Sequence, residues 1–307
     1  VNSFDTEGPT RRNGDTPRVF WSPDYVAPSH VFDTTRKSEA VRDLIVERGI
    51  DGVREPPAAV VAATEKLIEE LHDPIYIEAL RTGDPVDLAA SQGFRWDKGI
   101  WTMARASTSG VVAALELAIK HGFATGSLSS GLHHARRDTG RGYCSINGLA
   151  VAAEAIKSRI GRADRVAIFD VDAHCGGGTN ELIDDWRLDH VLHLDVSTND
   201  FDLYQPCRPG NELHRATSAN DYMATVERML ALIIESGCRA VLYNAGMDAV
   251  EMVPEQALRR REELVASKLR SAGIPCAFVL AGGYVGPGID AAALADLHAA
   301  TAEAFIL

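Results

Sequence analysis

Asp170-Val171-Asp172-Ala173-His174 directly follows the apolar run Val166 to Phe169. In an extended chain, residues two apart share one face, so two carboxylates and an imidazole converge at a sheet edge. Carboxylate and imidazole donors suit Zn²⁺ or another divalent cation. Read alone, the stretch is equally a strand cap followed by a turn. Asp248, in Ala245-Gly246-Met247-Asp248 after a second apolar run, adds a third donor. Asp172, His174 and Asp248 together make a three-ligand site with an open position. That pattern belongs to a catalytic rather than a structural metal.

Two further stretches carry groups that could work beside such a centre. His133 and His134 are adjacent in a Ser- and Gly-rich loop. Imidazoles titrate near neutrality, which suits a proton shuttle, although a lone histidine is usually structural. Tyr284 follows Gly282-Gly283 at the end of another apolar run. As a turn residue it does no chemistry; opposite a metal, its phenol would donate to a developing oxyanion. The glycine run 176–178 lets the backbone turn sharply. It lacks a following Lys-Ser/Thr and the GxGxxG spacing, so a phosphate-binding loop is not expected.

The elements that must position these groups are legible in the apolar pattern. Short β-branched runs lie at Val166 to Phe169, Val191 to Leu194, Ala240 to Tyr243 and Cys276 to Leu280. Helical patterns separate and follow them: Asn147 to Ile160, Asp221 to Glu235, Glu255 to Ala272 and Asp290 to Phe305. Upstream, helices are predicted over Ser38 to Glu47, Pro57 to Leu71, Ile75 to Leu80 and Thr102 to His121, the last stopped by Gly122. Residues 1–30 read as an irregular arm with a short strand near Arg18 to Trp21, and Arg81 to Gly99 as a long functional loop. Wholly apolar strands alternating with helices predict an α/β fold: an open, mostly parallel sheet with helices on both faces. With no repeat or linker in view, 1–307 reads as a single domain. Sites in such sheets lie at the carboxyl ends of the strands, which gathers the loops after Phe169, Leu194, Tyr243 and Leu280.

Composition narrows the function. Apolar residues are 46% and charged residues 24%, ordinary for a globular chain, which excludes disordered and fibrous classes. Lys+Arg is 31 against Asp+Glu 43, a net charge of −12 that repels phosphate backbones, so nucleic acid is not the expected partner. The five cysteines are odd in number and form no CxxC pair, which fits a reducing cytoplasm. No secretory signal and no apolar run long enough for a membrane span is expected. Nothing in the composition excludes a homo-oligomer.

Taken together, the sequence resembles the arginase–deacetylase superfamily, in particular the histone deacetylase-like amidohydrolases. The matching stretches are Gly131 to Ala135, Gly142-Tyr143-Cys144-Ser145-Ile146-Asn147, Asp170 to His174, Ala245 to Asp248 and Gly282-Gly283-Tyr284. Weaker similarity extends through Trp21 to Tyr25 and His72 to Ile77. The resemblance implies a fold of the arginase–deacetylase type and zinc-dependent amide hydrolysis, with Fe²⁺ or Co²⁺ as alternative metals. It makes Asp172, His174 and Asp248 the metal ligands, His133 and His134 the tandem acid–base pair, and Tyr284 the residue that polarises the carbonyl. It makes Asp170 the partner of the first histidine and a ligand of a structural potassium ion. Tyr143 becomes one aromatic wall of an acyl-lysine tunnel and Phe201 the opposite wall; Gly142 and Gly283, from the same motifs, are expected beside the substrate.

Three departures bear on function. Gly177 stands where the family carries the acidic or amide partner of the second histidine, so His134 is expected to lose its orienting bond. Where many members read Ser-x-His, this chain reads His193-Leu194-Asp195, which alters the potassium shell. After Asp248 the family's usual turn is replaced by Ala249 to Pro254. The leading expectation is hydrolysis of an N-acetyl amide, such as acetyl-lysine or an acetylpolyamine. A dimanganese ureohydrolase of the same fold is the alternative enzyme, although Gly176 and a lone Asp248 supply too few bridging carboxylates. A homologue that binds an acylated ligand without cleaving it is the alternative that the Gly177 departure raises.

Overall fold

The computed structural model describes residues 18–29, 33–161, 164–286 and 288–307. Most of the expected N-terminal arm, 1–17 and 30, lies outside these residues. Eight strands form one sheet: β1 (Val19–Phe20), β2 (Val53–Arg54), β3 (Thr125–Ser127), β4 (Val166–Asp170), β5 (Val191–Ser197), β6 (Glu212–Arg215), β7 (Ala240–Gly246) and β8 (Cys276–Ala281). Their order is β2-β1-β3-β8-β7-β4-β5-β6, and every neighbouring pair is parallel. The helices are α1 (Asp33–Glu47), α2 (Ala58–Leu71), α3 (Pro74–Thr82), α4 (Val86–Ala89), α5 (Gly99–His121), α6 (Gly148–Ile156), α7 (Gly177–Asp185), α8 (Ala219–Glu235), α9 (Glu255–Ser271) and α10 (Ala291–Ile306). None of the described helices is long and apolar enough to cross a membrane.

The central strands are apolar throughout because both faces are covered. In β4, Ala167 and Phe169 join a core built with α1, α8, α9 and α10. Val166 and Ile168 point the other way, into a core built with α2, α3, α5, α6 and α7. Strands β5 and β6 lie on one side of β4 and β7 lies on the other, so the order reverses between β4 and β7. Asp172 and Asp248 follow those two strands. The metal-ligand candidates thus sit at the switch point of the sheet, where a crevice opens between diverging loops.

The helices predicted from periodicity are present with shifted ends, and several ends are fixed by local caps. Asp73 caps α3 by accepting from Ile75 N (2.8 Å), with Pro74 in the first turn. Asn147 caps α6. Gly122 closes α5 in the left-handed region, φ +73°. The expected long loop 81–99 contains α4, and its far half braces the turn that bears Tyr143. Gln92 O accepts from Tyr143 N (2.7 Å), and the Phe94 ring stacks on Tyr143 with centroids 4.9 Å apart.

A buried polar network supports the two ligand loops from the α9 side. Arg261 is fully buried. Its guanidinium donates to Glu262 Oε1 (2.7 Å) and to the Tyr222 hydroxyl (2.6 Å), and reaches Val171 O at 3.3 Å. Tyr222 itself donates to Val171 O (2.7 Å), and Tyr243 donates to Glu262 Oε1 (2.9 Å). Val171 lies between Asp170 and Asp172, so this network holds the backbone that carries both. Arg261→Met strands Glu262 as an uncompensated buried charge, and a loss of about 3–5 kcal/mol in urea unfolding is expected. A loss below about 1 kcal/mol, the level of a surface ion pair, would show that the network carries no stability.

Candidate metal centre

Asp172, His174 and Asp248 come together: one donor atom from each lies within 4.8 Å of the others. His174 Nδ1 is 3.0 Å from Asp172 Oδ1 and 2.9 Å from Asp248 Oδ2. Backbone donors hold both carboxylates in place. His174 N donates to Asp172 Oδ1 (2.9 Å) and Ala173 N donates to Asp248 Oδ1 (3.0 Å). Burial and the charge on Asp172 push Asp248 above the usual carboxylate range. Burial works against His174's charge, yet Asp172 and Asp248 raise its imidazole to about 11. Two buried carboxylates facing one imidazole nitrogen fit a divalent cation, which would relieve the repulsion and take all three as ligands. Gly282 makes room here, because a Cβ at that position would strike the Asp248 carboxylate.

The tandem histidines stand beside this cluster with ring centroids 4.0 Å apart. His133 Nδ1 donates to Asp170 Oδ2 (2.7 Å), and its Nε2 is 3.6 Å from Asp172 Oδ1. Burial opposes protonation, but Asp170 and Asp172 raise His133 to about 10. His134 goes the other way: burial, joined by the charge on His133, lowers it to about 4. The loop is pinned from behind by Asn147, whose Nδ2 donates to His133 O (3.1 Å) and Thr179 Oγ1 (3.0 Å).

The expected loss of His134's partner is corrected by the structure. His134 Nδ1 donates to Asp202 Oδ2 (3.0 Å), a carboxylate from the loop after β5. Gly177 is what admits it: a Cβ at 177 would meet the Asp202 side chain at 2.8 Å and crowd its backbone oxygen. Asp202 takes a positive φ of +61°, which aspartate tolerates better than most residues. Arg136 Nη2 donates to Asp202 Oδ1 (2.7 Å), and Arg141 Nε lies 3.3 Å from the same oxygen. Burial opposes the charge, but His134 and these two arginines hold Asp202 below the usual carboxylate range. Only the hole at Gly177 hinted at this residue in the sequence; no spacing rule points to 202.

A cavity lined by His133, His134, Asp172, His174, Asp248 and Tyr284 opens beside Tyr143. Tyr143, which lines it, is 38% exposed, and Phe201, beside the His134 and His174 rings, is 41% exposed. The Phe201 ring meets His134 edge-on at 4.9 Å, and Tyr143 faces Tyr284 at 6.3 Å. Gly142 lines the cavity with φ +52°; a Cβ there would hit the His134 ring at 2.5 Å. Gly283 is turned toward Leu294 and His298, and Gly282 is the glycine that faces the cavity. Burial, then the charges on Asp248 and Asp172, push the Tyr284 phenol far up, so it stays a protonated donor. Lys37 of α1, which no motif singled out, lines the inner end and donates to Gly282 O. Burial lowers it to about 8 against the pull of Asp248 and Asp172.

His174 at about 11 carries a proton at pH 7 in the metal-free chain, and a cation must displace it from Nδ1. Zinc binding is therefore expected to release about one proton at neutral pH and to weaken as pH falls. Calorimetric titrations in buffers of different ionisation enthalpy measure it. Identical heats in all buffers would contradict the assignment.

Known proteins resemble this chain in sequence and in fold. A family model described as the histone deacetylase domain matches residues 30–300. An uncharacterized protein of Picosynechococcus sp. is 29% identical over 288 residues, 87% of this chain and 91% of that one. Histone deacetylase 2 of Arabidopsis thaliana is 24% identical over 277 residues, 83% of this chain and 70% of that one. The crystal structure of an acetylpolyamine aminohydrolase from Burkholderia pseudomallei superimposes with a TM-score of 0.72 at 18% identity, covering 94% of this chain and 98% of that one. With the family model spanning nearly the whole chain, the protein belongs to the histone deacetylase domain family and is an amidohydrolase of the arginase–deacetylase fold.

Proposed function

We propose that the chain, acting as one catalytic domain, hydrolyses an N-acetyl amide of an alkyl amine, such as acetyl-lysine or an acetylpolyamine, with zinc as its metal. The observation that carries this reading is the placement of the tandem histidines, each bonded through Nδ1 to its own aspartate, beside a three-donor metal cluster. Neighbours whose environments drive their protonation apart take acid and base roles. When bound by Asp172, His174 and Asp248, a divalent cation supplies Lewis acidity toward a carbonyl and a water.

The chain's own residues do the rest. Asp202 holds the His134 proton on Nδ1, which leaves Nε2 free to take a proton from water. His133 stays charged through Asp170 and stabilises the negative charge that develops next to it. His134 then returns its proton to the departing nitrogen. Tyr284 donates its phenolic hydrogen to the carbonyl oxygen as charge builds there. Tyr143 and Phe201 offer two ring faces to the alkyl chain of the amine, with Gly142 permitting the close approach of Phe201, while Gly283, turned toward Leu294 and His298, shapes the turn that carries Tyr284. Names of relatives such as acetylpolyamine aminohydrolase support a small acetylated amine as substrate. The retained carboxylate at Asp202 argues against a chain that binds without cleaving. The five cysteines are free, which supports a cytoplasmic setting.

Acetate release from acetyl-lysine peptides, acetylpolyamines and aryl acetamides tests the reading, and release from none of them would sink it. Tyr284→Phe is expected to keep its metal while kcat falls by roughly 10²–10³. Unchanged turnover would remove Tyr284 from the mechanism. Asp202→Asn is expected to keep its metal and lose roughly 10–100-fold in kcat. An unaffected Asp202→Asn enzyme would mean that His134 needs no orienting carboxylate.

A further inference from the structure

Strands β4 and β5 run in register with Asp170 opposite Asp195. His193 precedes Asp195 by two residues on β5 and so shares its face. All three side chains are fully buried, and one donor atom from each lies within 4.8 Å of the other two. Two buried atoms there have no hydrogen-bond partner: His193 Nε2 and Asp195 Oδ1. They belong to one short stretch of strand, yet no hydrogen bond joins them.

The surrounding bonds explain what those atoms offer. Asp195 Oδ2 accepts from Gly176 N (2.7 Å) and from the Tyr204 hydroxyl (3.1 Å). With its proton committed to Asp195, the Tyr204 oxygen can only accept at His193 Nδ1, a contact of 3.4 Å. With the imidazole hydrogen on Nδ1 to make that contact, the unpartnered Nε2 would present a lone pair. The Tyr204 ring stacks on His193 at 5.7 Å and fixes its plane. A histidine oriented through one nitrogen with the other left open is how proteins present a metal ligand.

We propose that Asp170, His193 and Asp195 bind a second cation, separate from the Asp172, His174 and Asp248 centre, and that it is a divalent ion of the zinc, iron or manganese type. Two carboxylates and an imidazole are the donor chemistry of that class. The potassium ion implied by the family resemblance does not fit this donor set, because a weakly held monovalent ion takes oxygen donors and leaves a bare imidazole nitrogen unused. Asp170 Oδ2 also accepts from His133 Nδ1, so an ion here would lock the carboxylate that orients one of the two site histidines.

The test counts ions in the full chain after chelation and reloading with Zn²⁺ or Mn²⁺, by elemental analysis, alongside thermal melting in potassium and in sodium buffers. Two equivalents per chain are expected for the wild type. His193→Leu and Asp195→Asn should each retain one, Asp248→Asn should retain one, and the His193→Leu/Asp248→Asn pair none. The wild-type count stands even if a variant fails to fold. A single equivalent in the wild type overturns the proposal: melting raised by potassium would then mean a potassium site, and melting indifferent to it a protonated Asp195 with no ion. Two equivalents that survive both His193→Leu and Asp195→Asn overturn it as well, placing both ions at the first centre.

Discussion

Asp170 is a carboxylate with no exposure to water that accepts from three directions. His133 Nδ1 donates to one oxygen at 2.7 Å; Asn244 Nδ2 (2.8 Å) and Asp172 N (3.2 Å) donate to the other. A buried carboxylate is tolerated only when its lone pairs are filled in this way. Each of the three bonds also sets a part of the site. The first orients His133, the second ties β4 to β7, and the third bends the chain so that Asp172 and His174 turn toward Asp248. The sheet register that puts Asp170 opposite both Asn244 and Asp195 is thus the constraint from which the rest of the site follows.

Around that anchor the chain keeps a geometry while exchanging the residue that provides it. A carboxylate sits at His134 Nδ1, but it comes from Asp202 in a different loop, and position 177 is reduced to glycine to admit it. Gly178 is constrained likewise, since a Cβ there would meet the His134 carbonyl carbon at 2.5 Å. Two glycines opening α7 are poor helix formers. They are kept by the need to bring the helix start against the tandem histidines. Asp202 is in turn held by Arg136 and Arg141, so the exchange brings its own counter-charges.

Electrostatics then separates chemically identical groups. His133 and His134 are neighbours in sequence and in space, yet one faces two aspartates and the other faces a charged imidazole. Burial opposes the charge on both, but the two aspartates overcome it at His133, whereas at His134 the neighbouring imidazole adds to it despite Asp202, so their affinities for a proton diverge. Beneath them, the Arg261 and Glu262 pair acts on the backbone rather than on the reaction. It holds Val171 O, and through it the spacing of Asp170 and Asp172.

Strands buried on both faces can be read from the chain alone, because continuous apolar runs admit few other readings, and so can the residues that follow them. Hence β4, β5, β7 and β8, the long helices, and the candidates Asp172, His174 and Asp248 were all legible. Of the strands of two to four residues only β1, expected near Arg18 to Trp21, was. Thr125–Ser127 is small and polar, yet central, because Gly126 must clear the Phe278 ring and Ser127 bonds the Tyr25 hydroxyl at 3.0 Å. Likewise Asp202, Lys37, Arg261 and Tyr204 stood out only once the chain was folded, and His193 and Asp195, visible in the sequence, showed their convergence with Asp170 only there. Their roles come from partners at distant positions, and a charge or an imidazole acquires a function only from what is packed against it.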